Sequence, residues 1–279
     1  MEPSTYYRQL FADMVGRLGE DMDLARAALC IAAEDCGDVD PEASIQALEN
    51  LALEASESLD PSMDLASRIE RLSLYLGLKQ GFSGDKGDYY NPFNVYLNQV
   101  LERKRGIPIT LSLIYMEVGA RLGIEFDAIG LPGHLVIRSG PPHRELYVDP
   151  FHRGRLLSRS DCEEMIGKIH GGKVELRDEF FQPYTKKQFL VRLLANLKNM
   201  YARAGDYPKA IAAADRTSLI EPTMGSNLRD RAWMFHQTGQ YRKAIGDLEA
   251  FLKLKPNAEE AKKAREQIRT LWKTIATLN

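Results

Sequence analysis

The spacing of apolar residues divides the chain into three stretches. Up to about residue 80, apolar positions recur every three or four residues, as in Leu65, Ile69, Leu72 and Leu76. That period lays one apolar stripe along a helix, and it predicts helices over 5–18, 22–35, 42–57 and 63–77. Two start signals stand out, Asp40-Pro41 and Asp60-Pro61. Each pairs an N-cap carboxylate with a proline at the first helical position, where no backbone N–H is needed. Residues 81–92, GFSGDKGDYYNP, break the period with Gly, Asp and Pro. They read as a loop long enough to be either a functional cover or a plain connector.

Beyond residue 92 the pattern changes. FNVYLNQVLERKR predicts a helix, and Gly106-Ile107-Pro108-Ile109-Thr110 opens another that runs through Leu122 and stops at Gly123. Three short runs follow, EFDAIGL (125–131), HLVIR (134–138) and ELYVD (145–149). They are rich in strand-forming residues and separated by Pro-Gly and Gly-Pro-Pro turns. A helix beside a short antiparallel sheet is an α+β arrangement.

The last stretch repeats itself. Gly205, Tyr207, Ala210, Ile211 and Pro222 recur as Gly239, Tyr241, Ala244, Ile245 and Pro256, always 34 residues on. The period and its helical setting resemble the tetratricopeptide repeat. Small Ala210 and Ala244 let paired helices lie close, the glycines turn between them, and the prolines stop the second helix. Residues 259–277 read as a closing helix. The expected organisation is a helical region over 1–92, an α+β core over 93–183 and helical repeats over 184–279, mostly helical overall.

Composition narrows the class. The chain has 279 residues, 44% apolar and 27% charged, which suits a folded globular protein and excludes a disordered or fibrous one. No run approaches the length of a membrane span, and the start lacks a leader pattern. Three cysteines, Cys30, Cys36 and Cys162, are too few and too scattered for a disulfide framework or a zinc site, so a reducing cytoplasm is expected. The net charge of −2 conceals a gradient: 7 basic against 18 acidic residues over 1–90, 12 against 12 over 91–185, and 18 against 9 over 186–279. The basic end either meets an acidic partner or is simply a set of solvated helix faces. No phosphate loop or dinucleotide fingerprint occurs, so no cofactor is expected. No nucleic-acid motif accompanies the basic residues.

The middle stretch carries a resemblance. Gly106-Ile107-Pro108, Leu122-Gly123-Ile124, Gly133-His134-Leu135 and Tyr147-Val148-Asp149-Pro150 follow the order and spacing of the transglutaminase-like fold, a branch of the papain-like cysteine enzymes. The runs LNQVLERKRGIPITLSLIY, LPGHLVIR and YVDPF, set between N-terminal helices and C-terminal repeats, are similar to the bacterial SirB1 family. The resemblance implies a catalytic frame of a cysteine at a helix start, a histidine and an aspartate. His134 and Asp149 take the second and third positions. The nucleophile position is Pro108, which has no thiol. A thiolate at a helix N-terminus is what that chemistry needs, so the frame is expected to be degenerate.

The remaining candidates have plain alternatives. Thr110 and Ser112 lie at the wrong angle or depth on the helix to replace a cysteine. His134 is either a base beside Asp149 or a core histidine with one hydrogen bond. His143 and His152 lie near Asp149 in sequence, but their spacing fits no recognised ligand pattern, and no metal site is expected. Arg103-Lys104-Arg105 either holds an acidic group or ends a helix against its dipole. In the repeats, Arg192, Asn199, Arg229 and Trp233 are the expected partner-binding set: arginine and asparagine for carboxylates or peptide backbone, tryptophan as an apolar anchor. The expected function is a non-enzymatic module that binds a protein or peptide. The alternative is a hydrolase or amide-directed enzyme in which His134 and Asp149 activate water.

Overall fold

The computed structural model describes residues 3–18, 21–60, 62–141, 144–174, 177–257 and 259–278. The chain forms two compact units, Met1–Leu190 and Val191–Asn279. The first unit takes in both the N-terminal helices and the α+β region.

It opens with α1 (Pro3–Asp13), which continues as a π-helical turn over Met14–Leu18. Next come α2 (Leu24–Cys36), α3 (Pro41–Ser56) and α4 (Leu65–Leu74), the last running on as a π-helical turn over Tyr75–Lys79. Asp23, Asp40 and Asp64 cap α2, α3 and α4 by accepting backbone N–H groups of the first turn, which otherwise have no partner. The expected start at Asp60-Pro61 is not used for α4. Asp60 instead accepts from the Ser62 N–H and hydroxyl, and Asp64 does the capping; Pro61 lies outside the described residues.

The glycine-rich loop is tied down. It contains β1 (Ser83–Gly84), and after α5 (Leu97–Arg103) the chain returns as β2 (Arg105–Gly106), parallel to β1. The basic cluster laces this join. Lys104 ends α5 in the left-handed conformation, φ 57°, with its ammonium 4.3 Å from the centre of the Phe82 ring. Arg103 reaches Asp85 at 3.6 Å, and Arg105 donates to the Gly81 carbonyl and the Ser83 hydroxyl.

At the centre lies α6 (Pro108–Arg121). Ile109, Leu111, Leu113, Ile114, Tyr115 and Val118 are all buried, so the helix is apolar nearly all round, as a helix inside a core must be. It packs against α3 and α5 on one side and the sheet on another. That sheet is an antiparallel meander of β3 (Asp127–Ile129), β4 (Val136–Ser139), β5 (Leu146–Asp149) and β6 (Arg155–Leu157). The first three match the expected strands, and β6 is an addition. A further helix, α7 (Arg159–Ile169), packs Cys162 and Ile166 into a cluster with Ile129, Val136 and Leu157.

The second unit is helical, from within α8 (Lys186–Arg203) through α9 (Tyr207–Ile220), α10 (Gly225–Gln237), α11 (Tyr241–Leu254) and α12 (Glu259–Leu278). Its joints are those the repeat predicts. Gly205 and Gly239 turn at φ 79° and 71°, a backbone that residues with a Cβ rarely adopt. Ala210 and Ala244 are fully buried between helices. Arg231 on α10 ties the stack together, with two hydrogen bonds to Asp247 at 2.7 Å and one to Asp215 at 2.8 Å.

Candidate functional site

Strand register brings His134 to Asp149. Ile137 pairs with Val148 across the antiparallel β4 and β5, so Asp149 stands opposite Val136. His134 lies two residues before Val136, hence on the same face of the sheet and diagonal to Asp149. A tight turn aims it there. The His134 N–H donates to the Leu131 carbonyl at 3.1 Å, with Gly133 at φ 74°; Pro132 and Gly133 hold the two central positions that suit such a turn. The outcome is a contact of 3.0 Å between His134 Nε2 and Asp149 Oδ2, both residues buried.

A third residue joins them. Pro150–His152 form a 3-10 turn with Asp149 as its N-cap, and Asp149 Oδ1 accepts the His152 N–H at 3.3 Å. That turn folds the His152 ring back onto the same carboxylate, Nδ1 to Oδ2 at 2.7 Å. His152 is the partly exposed member of the three. Phe151 meets the His134 ring edge-on, with centres 6.0 Å apart. Burial pushes the Asp149 carboxyl up, but the hydrogen bonds from His134 and His152 outweigh it and hold the group well below the usual carboxylate range. A cavity of about 270 Å³ opens beside the three, with Asp161, Glu164 and Met165 of α7 on its far wall.

The first turn of α6 carries no cysteine. Pro108 fills its first position and is buried. Thr110 is fully buried and gives its hydroxyl to the Val95 carbonyl at 3.0 Å. Ser112 is also fully buried. Burial pushes the Cys30 thiol up to about 11. Burial and the nearby charge of Asp149 push the Cys162 thiol up to about 12. Each shift is the opposite of what activates a nucleophile.

Residues 42–195 match the transglutaminase-like superfamily. The chain belongs to that superfamily. Residues 197–269 match the tetratricopeptide repeat, as the 34-residue period implied. A UPF0162 protein of Xylella fastidiosa (strain 9a5c) is 34% identical over 254 residues, covering 88% of this chain and 89% of the relative. A UPF0162 protein of Pseudomonas aeruginosa is 30% identical over 237 residues, covering 85% and 86%. Human F-box only protein 21 is 30% identical over 166 residues, 56% of this chain but 26% of that protein. The full-length relatives place the chain in the UPF0162, SirB1-type group of the superfamily. Among the described residues no helix is long and apolar enough to cross a membrane.

Within this transglutaminase-like chain, the sequence reading noted His152 near Asp149 but set it aside because the spacing fits no ligand pattern. The signal was present: Asp149-Pro150 repeats the Asp-Pro start that marks α3, and an N-cap aspartate reaches the residue three places on. The expectation of no metal-ligating set also meets a different arrangement. His134, Asp149 and His152 each offer one ligand atom, and these lie within 4.8 Å of one another. Sequence spacing concealed the set because His134 arrives across the sheet; His143 lies outside the described residues.

The expected partner-binding set is divided by the structure. Trp233 lines a groove of about 340 Å³ between α10 and α12, with Leu248, Lys263, Glu266 and Leu271. Its ring is 46% exposed and stands edge-on to Tyr207. Arg229 does not line this groove. It turns into a separate hollow, pairs with Glu260 at 3.0 Å and lies 5.2 Å from the centre of the Phe251 ring. Neither Arg192, half-buried on α8, nor Asn199, exposed on the same helix, is among the groove's walls. The expected set left out the closing helix α12, which supplies Lys263 and Gln267, 34 residues beyond Arg229 and Trp233.

Proposed function

We propose that the chain is a protein-interaction module, built from a transglutaminase-like frame without thiol chemistry and a repeat groove that takes a peptide segment. The observation that carries this reading is the Trp233 groove. An aromatic ring half-open to solvent, apolar walls at Leu248 and Leu271, and Lys263 with Glu266 at its sides form an apolar socket with charges of both signs. Such a socket accepts one apolar anchor of a peptide and orients the polar groups beside it. The basic balance of residues 186–279 favours an acidic partner segment. The sparse cysteines suit the reducing cytoplasm.

The test is selection of peptide ligands from a displayed library on the full chain, followed by titration of the selected peptide. Trp233→Ala is expected to weaken its binding by at least about tenfold. Selected peptides that bind Trp233→Ala as well as the parent chain would remove the groove from the account.

A second reading rests on the 3.0 Å His134–Asp149 contact and the adjoining cavity. A carboxylate that orients an imidazole is a device for activating water. It predicts turnover of an amide or ester in a substrate panel, abolished in a folded His134→Ala variant. Absence of turnover above buffer supports the first reading.

A further inference from the structure

We propose that His134, Asp149 and His152 form a binding site for a divalent transition-metal ion of the Zn²⁺ class, a site independent of the repeat groove.

Ligand chemistry comes first. Two imidazole nitrogens and one carboxylate oxygen are donors that Zn²⁺ and its neighbours in the first transition row accept. His134 Nε2 and His152 Nδ1 both face Asp149 Oδ2, at 3.0 and 2.7 Å, and all three atoms lie within 4.8 Å. Metal bonds of about 2.0–2.1 Å in a tetrahedral shell set neighbouring donors roughly 3.3 Å apart. The two short contacts therefore need to open by about half an ångström, and the two imidazole nitrogens, which lie within 4.8 Å, need to settle at about the same separation, a shift that the exposed His152 ring can make.

Charge makes the second argument. Asp149 is 1% exposed, and a buried carboxylate needs a compensating cation. Among the described residues, its ion-pair partners are the two imidazoles alone. Lys168, on the same cavity, is paired with Glu164. A divalent ion would add positive charge directly beside this buried carboxylate.

Support and access make the third. His134 is fixed by the Leu131–His134 turn, and Asp149 by the sheet and by its own cap to the His152 N–H. Two of the three ligands are thus held before metal arrives. The third, His152, is 40% exposed and adjoins the cavity toward α7, where the Asp161 and Glu164 carboxylates favour entry of a cation; the hollow on its other side, lined by Lys86, Arg105 and Arg153, does not. The cavity beside the site leaves room for water or a small anion in the remaining position. Three protein ligands with one open place is the arrangement of an exchangeable site, in contrast to a closed structural one.

The test uses the full chain, stripped with a chelator and titrated with Co²⁺. Visible ligand-field absorption reports coordination, and Zn²⁺ competition gives its affinity. The proposal expects one Co²⁺ per chain, displaced by Zn²⁺. It expects Zn²⁺ affinity at least about tenfold weaker in His152→Ala and in the more conservative His152→Asn. His236→Ala, a histidine on α10, should bind as the parent does. Circular dichroism and a thermal melt confirm that each variant is folded. No saturable Co²⁺ spectrum in the parent chain would overturn the proposal. Binding that both His152 variants leave within about twofold would overturn it equally.

Discussion

At the scale of single residues, the proposed absence of thiol chemistry rests first on Pro108. It occupies the first position of α6, where a missing N–H costs nothing and a fixed φ suits the helix. A side chain suited to helix initiation therefore stands where the family resemblance would expect a thiol. The three cysteines do not replace it. Cys30 and Cys162 are buried, with thiols pushed up to about 11 and about 12, whereas an ordinary thiol titrates near 8.5. At pH 8 both are neutral, and each becomes thiolate only as pH rises through its own raised value. Brief alkylation of the native chain at pH 8 should mark the exposed Cys36 and leave the other two until denaturant is added. Mass mapping of the modified peptides checks this. Fast labelling of native Cys162 would show an activated thiol near Asp149.

Elements show how far the sequence could be read, and why it stopped. The long N-terminal helices were legible through their apolar period, with Asp40-Pro41 as a true start; Asp60-Pro61 gave a competing start signal that Asp64 overrides. The strands were legible through their composition and the turn signals between them, Pro132-Gly133 setting the corner between β3 and β4 just before His134. Two elements escaped although their signals were present. In α7, Cys162, Met165, Ile166 and Ile169 keep a helical period behind a Ser158–Asp161 capping box. In the 3-10 turn, Asp149-Pro150 announced His152. By contrast, β6 has three residues and makes sense only once β5 is beside it, so tertiary pairing alone specifies it. The turn between the site and β6 also offers an element-scale test. Gly154 sits at φ 74°, and a Cβ there would lie 2.7 Å from the Tyr115 hydroxyl and 3.1 Å from the Ser73 carbonyl oxygen. Gly37, at φ 77°, faces open space. Gly154→Ala should cost about 2–4 kcal/mol, backbone strain plus overpacking, and Gly37→Ala about 1 kcal/mol. Urea unfolding of both variants measures the gap; equal costs would mean that the turn does not press on α6.

At the scale of the molecule, the two units carry different parts of the account. The first buries a carboxylate between two imidazoles at the rim of a sheet. The second stacks paired helices and leaves one aromatic ring open in a groove. Its repeat was legible because glycine turns, small buried alanines and terminal prolines recur at one period. The walls of the groove were less so. Trp233 was in the expected set, but the side chains opposite it come from α12, whose sequence departs from the repeat. Arg229 was drawn away by Glu260 and Phe251, a local pairing that a repeat phase does not encode.

The central claim, that the chain works by holding a peptide in this groove, can be read from the groove itself. The chain has two tryptophans, Trp233 and Trp272, so Trp272→Phe leaves Trp233 as the sole reporter. Titration with a library-selected peptide should produce a saturable change in Trp233 emission, with a midpoint equal to the peptide's independently measured affinity. A peptide that binds fully while Trp233 emission stays unchanged would contradict the account.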